Sequence, residues 1–224
     1  MTPRMTFRGI YTPVVTPFNA DYSPDFAARE AVLERLIAAG VHGLISGGST
    51  GENYAMTVAE RREVARHTVR IVNGRVPVIM GTGAMLPADS LALATGGKEM
   101  GADALLIATP PYAVPTEREN ALNTLAIDRA ADLPVMLYNY PGRMGVNMGE
   151  AFLDRVGRSR NICAIKESSG DINRVHLLAR DYPHIQMSCG CVAGRIFCPK
   201  STSPCGAPAW SRAILTRGGA SCRR

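Results

Sequence analysis

No apolar run in the 224 residues approaches the roughly 18 needed to cross a bilayer. The opening stretch, Met1 to Gly9, lacks the apolar centre of a secretory signal. These two absences predict a cytoplasmic protein with no membrane partner. Histidine is scarce, and His42, His67, His176 and His184 are scattered without partner spacing, which assigns them structural or exposed places. Acid is missing altogether from residues 191–224, which hold six of the 25 basic residues and none of the 19 acidic ones. The net charge of +6 is therefore a property of this tail. The body before it is balanced, and no basic stripe there suggests a nucleic-acid partner.

The tail differs in other respects. It holds Cys191, Cys198, Cys205, Cys222 and the single tryptophan, Trp210, and sustains neither a 3.6 nor a 2.0 hydrophobic period. With Cys189, its cysteines match no common zinc spacing, and a disulfide framework is foreign to a cytoplasmic protein. A reading frame shifted near Gly190 accounts for this composition, an expectation that the genomic sequence around codon 190 tests. The chain accordingly divides into a body, residues 1–190, and an atypical basic, cysteine-rich tail, residues 191–224.

What the body does contain is alternation. Short apolar runs predict strands at 9–18, 41–46, 76–81, 102–108, 133–139, 162–166 and 184–188, with helical stretches between them. Ser23-Pro24, Thr57 with Glu60, Thr116 with Glu119, and Asp171 are the expected N-terminal caps. Units of about 25–35 residues with no linker between them predict a single (β/α)8 TIM barrel. Seven strands precede the tail, so the barrel is expected to be incomplete.

In such a barrel chemistry sits at the C-terminal ends of the strands. Those ends carry Gly47-Gly48-Ser49-Thr50-Gly51-Glu52, Thr109-Pro-Pro-Tyr112, Tyr138-Asn-Tyr-Pro-Gly-Arg143 and Lys166-Glu167-Ser168. Lys166 closes the apolar run Ile162–Ile165, where desolvation disfavours the ammonium and frees an amine to attack a carbonyl. Read alone, a strand-end lysine more often snorkels to solvent. Tyr138 could be a core tyrosine, Ser49-Thr50 an ordinary turn, and Arg143 half of a surface ion pair. Their joint appearance at strand ends favours Schiff-base chemistry on a small keto acid.

The segments G-G-S-T-G-E (47–52), G-T-G-A (81–84), T-P-P-Y (109–112), Y-N-Y-P-G-R (138–143) and I-K-E-S-S-G (165–170) stand in one order across residues 9–190. In this the sequence resembles the dihydrodipicolinate synthase / N-acetylneuraminate lyase family of class I pyruvate-dependent aldolases. The resemblance implies a lyase in which Lys166 forms an imine with pyruvate or another 2-keto acid, without metal or organic cofactor. Tyr138 would shuttle protons, Ser49 would relay between tyrosines, and Tyr112 would complete the relay from a neighbouring subunit. Ser49, Thr50 and the Gly48 backbone would hold the keto-acid carboxylate, and Arg143 the carboxylate of an aldehyde partner. It further implies a homo-oligomer, a dimer or homotetramer.

Arg143 favours a 4-hydroxy-tetrahydrodipicolinate synthase type of condensation. A keto-deoxy sugar-acid aldolase or dehydratase, or an N-acetylneuraminate lyase-like enzyme, uses the same imine. The missing eighth strand leaves a third reading, an inactive fragment that associates with full-length subunits.

Overall fold

A computed structural model describes residues 4–190. Seven parallel strands, β1 (Tyr11–Pro13), β2 (Gly43–Ser46), β3 (Val78–Gly81), β4 (Ala104–Ala108), β5 (Val135–Asn139), β6 (Ile162–Glu167) and β7 (Gln186–Cys189), pair in sequence order. Helices α1 (Phe26–Ala38), α2 (Val58–Val72), α3 (Pro87–Glu99), α4 (Glu117–Ala131), α5 (Pro141–Met144), α6 (Glu150–Val156) and α7 (Ile172–Asp181) lie between them. The result is a curled half-barrel, an incomplete TIM barrel as the alternation predicts. Among the described residues no eighth strand joins β7 to β1. The tail readings, including the cysteine set and the frame shift, lie outside the described residues.

The interior core consists of Ile45, Ile79, Leu106, Met136, Tyr138 and Ala164, with Met5 and Phe7 of the N-terminal arm packed against it. The opposite parity of the same strands, including Leu105, Ile107, Leu137 and Ile165, packs under the helices with Leu93 and Phe152. Burial on both faces explains why β2 to β6 read as continuous apolar runs. The arm is fastened across the sheet: Phe7 N donates to Gln186 Oε1, and Gln186 Nε2 donates to Met5 O.

Thr57 with Glu60 and Thr116 with Glu119 form complete capping boxes, and Asp171 caps α7. Three expectations need correction. The first strand keeps only Tyr11–Pro13 of its predicted range; Pro17, without an N–H, cannot extend a ladder, and Phe18 instead pairs antiparallel with Pro24. The cap of α1 is Asp25, which accepts from Ala28 N at 2.9 Å, whereas Ser23 spends its hydroxyl on Asp21. The helix that the sequence predicts from about Met148 to Val156 starts at Glu150, since the Met148 N–H donates to Asn139 Oδ1, and α5 is an additional turn after β5. The Gly96-Gly97 pair lets α3 lie close on the sheet, since a Cβ at Gly97 would come 3.1 Å from Met80 Sδ and 3.2 Å from Leu105 Cδ2.

Candidate active site

The β5–β6 register sets Tyr138 beside Lys166 and, one residue on, Asn139 beside Glu167. Because strand side chains alternate between faces, the first pair enters the barrel and the second faces the helices. Lys166 Nζ stands 4.4 Å from the Tyr138 ring centroid. Burial pushes its pKa below the ordinary lysine value, with no carboxylate acting to restore it. The Tyr138 phenol is buried, which raises its pKa; Ser49, Arg143 and Ser168 act in the opposite direction. Ser168 Oγ is buried beside the phenol and acts on it, without a well-formed hydrogen bond of its own.

Behind this pair lies a polar brace. Glu167 accepts from Asn139 Nδ2 on both oxygens (3.0 and 2.9 Å), from Ser169 N at 2.8 Å and from Arg174 Nε at 2.6 Å. Arg174 also donates to Met148 O, and Asn139 accepts from Met148 N. The carboxylate is thus satisfied on every side, and the strands carrying Tyr138 and Lys166 are tied where they end. Gly190 closes the site from β7. A Cβ there would overlap Ser168 Oγ and come 3.1 Å from Lys166 Cε.

The loop after β2 meets the same space. Gly47 has φ +70°, a left-handed conformation that glycine adopts without strain, and a side chain at Gly81 would overlap the Gly47 carbonyl. Gly48 is buried, Ser49 is half-buried and interacts with the Tyr138 phenol, and Thr50 is exposed at the rim. The Tyr140 ring lies 6.0 Å from that of Tyr138, and Arg143 Cζ stacks 5.3 Å from the Tyr140 centroid.

Of the predicted residues, Lys166, Tyr138 and Ser49 therefore come together, Gly48 lies in the loop beside them, and Arg143 lies one aromatic ring away. Tyr112 does not join them. It is 88% exposed, with φ 67°. The sequence puts Ser168 at a strand end but assigns it no role, and gives no sign of Gly190's contact or of the brace. Strand parity was the available signal, because it sends Glu167 and Asn139 outward together once Lys166 and Tyr138 point inward. Among the described residues no three His, Cys, Asp or Glu side chains gather as metal ligands, and no helix is long and apolar enough to cross a membrane.

The sequence profile of the Dihydrodipicolinate synthetase family matches residues 6–200. The chain belongs to this family. Within the family, the 4-hydroxy-tetrahydrodipicolinate synthase of Cellvibrio japonicus is 37% identical over 176 residues, which are 79% of this chain and 61% of that protein. The chain thus spans about three fifths of the length of such a curated relative. The synthase of the same name from Rhodospirillum centenum is 35% identical over 96% of this chain and 69% of its own length. Likeness to the family therefore does not stop at Gly190. YagE, an Escherichia coli K12 prophage protein of the dihydrodipicolinic acid synthase family crystallised with pyruvate, superposes with a TM-score of 0.78 at 32% identity. That match covers 83% of this chain and 64% of YagE.

Proposed function

We propose that the chain is a Schiff-base lyase that joins pyruvate to an aldehyde, in the manner of 4-hydroxy-tetrahydrodipicolinate synthase. The observation that carries this reading is the desolvated Lys166 amine held against the Tyr138 ring at the mouth of a barrel. The names of the relatives and the pyruvate complex of YagE support it. Lys166 Nζ attacks C2 of pyruvate, and loss of water from the carbinolamine gives an imine. Removal of a methyl proton yields the enamine, whose carbon adds to the aldehyde carbonyl. Tyr138 carries protons to and from these centres, with Ser49 as its relay. Ser49, Thr50 and the backbone N–H groups around Gly48 receive the pyruvate carboxylate.

Arg143, exposed and stacked on Tyr140, suits the carboxylate of the second substrate. The exposure of Tyr112 on a left-handed backbone supports its service to a neighbouring subunit, which makes a dimer the smallest complete site and a homotetramer a pair of such dimers. The reaction belongs in the cytoplasm. The test is turnover of pyruvate with aspartate semialdehyde, set beside cleavage of keto-deoxy sugar acids and N-acetylneuraminate. Condensation with the semialdehyde that is lost in Arg143→Ala supports the reading. Turnover of sugar acids alone overturns the choice of second substrate.

A further inference from the structure

Arg29, on α1, is fully buried, yet no carboxylate lies against it. One terminal nitrogen donates to Val15 O at 2.6 Å and to Thr16 Oγ1 at 3.3 Å; the other donates to Ser46 Oγ at 2.9 Å and Thr68 Oγ1 at 3.0 Å. Its Nε has no partner. Burial without a counter-charge lowers its pKa to about 10, which still leaves it a cation at neutral pH. An isolated buried cation is costly, and a neutral side chain of similar shape would pack there at less expense.

Its contacts show where the charge acts. Ser46 is the residue immediately before the Gly47–Glu52 loop, and Thr16 Oγ1 donates to Gly51 O, near the loop's end, at 2.8 Å. Gly51 in turn packs so closely on Val14, the residue after β1, that a Cβ there would come 2.7 Å from Val14 O. One guanidinium thus secures both ends of the loop. A second buried guanidinium, Arg61, holds Gly81 O at 3.0 Å and Gly83 O at 2.9 Å, on the strand against which Gly47 packs. Neutral oxygens accept from both cations; Asp89 acts on Arg61 through space, whereas no carboxylate offsets the charge of Arg29.

We infer that Arg29 is a positioning residue that shapes and electrostatically primes the Gly47–Glu52 loop for an anionic substrate group, the carboxylate of a 2-keto acid. This deepens the reading of the site given above and rests on it. The buried positive charge stands behind the loop's N–H donors and strengthens their hold on an anion in a medium that screens poorly. It does not touch the reacting carbonyl.

The experiment is borohydride trapping on the full chain with pyruvate and, separately, with its neutral methyl ester, each titrated for half-maximal labelling. Variants are Arg29→Met and Thr16→Val; the latter keeps the cation with its Val15, Ser46 and Thr68 acceptors and cuts its route through Thr16 to Gly51. In Arg29→Met the half-maximal pyruvate concentration should rise at least tenfold and in Thr16→Val about three- to tenfold. The ester's should move less than twofold, and the labelling rate at saturation should hold. Should Arg29→Met fail to fold, Thr16→Val decides alone. Equal shifts for acid and ester, or no shift for either, overturn the inference, because a loosened barrel ignores the substrate's charge. Absence of labelling in the unaltered chain overturns the Schiff-base reading, and this inference falls with it.

Discussion

Arg174→Met tests the brace behind the Lys166–Tyr138 pair. The Arg174 and Glu167 side chains are 7% and 2% exposed and meet at 2.6 Å. Removing one partner of such a buried pair costs about 3–5 kcal/mol, mainly through the charge left behind. Here Glu167 keeps Asn139 Nδ2 and Ser169 N, two charge-assisted hydrogen bonds that soften the loss. The expected destabilisation is therefore about 2–4 kcal/mol, at the lower side of that range. Glu167→Gln in the Arg174→Met background removes the stranded charge and should recover more than about 1 kcal/mol. Urea unfolding of the wild type, both single variants and the double variant gives the coupling, provided the m-values agree. A loss under about 1 kcal/mol, or costs that simply add, would refute the argument that the pair is dry and mutually dependent. The same variants should slow imine trapping, because Lys166 immediately precedes Glu167 on β6.

Gly190→Ala places a methyl group against Ser168 and Lys166, and overpacking of this kind costs about 1–3 kcal/mol; trapping should slow more than tenfold while circular dichroism keeps its helical signal. Trapping rates should rise with pH and level off below the ~10.4 of an ordinary lysine, since burial favours the neutral amine of Lys166. The sign for stability follows: the cost of a charged Lys166 is present in full below its folded pKa and disappears as pH rises through the unfolded value. Lys166→Met should therefore stabilise the fold at pH 7 and lose that advantage at strongly alkaline pH, as read by chemical denaturation. Tyr138→Phe should retain binding of pyruvate but slow imine formation by about 10²–10⁴, the usual worth of a general acid–base group.

The parts of this fold that were legible in sequence are those where local and tertiary preferences agree. β2 to β6 read as strands because both faces are dry, and the capping boxes at Thr57 and Thr116 satisfy their own helix ends. The first strand was overextended because Val14, Val15 and Phe18 look strand-like, while Pro17 and the Phe18–Pro24 bridge end the ladder early. Lys166, Tyr138 and Ser49 were legible as side chains that the strand ends bring together. Arg29, Arg61 and Arg174 were not, since arginines on amphipathic helices usually face solvent. Here their partners are loop carbonyls, hydroxyls and one carboxylate that only the fold brings within reach. The contact between Ser168 and Gly190 is hidden for a related reason, because it arises only through the β6–β7 pairing of Lys166 with Ser188 and Glu167 with Cys189.

The most direct test of the central claim is borohydride reduction of the purified chain with pyruvate, read by intact mass and peptide mapping. The account predicts a single reduced pyruvate adduct on the peptide carrying Lys166, absent from Lys166→Met. No adduct on folded, soluble protein, or an adduct that persists in Lys166→Met, would contradict it.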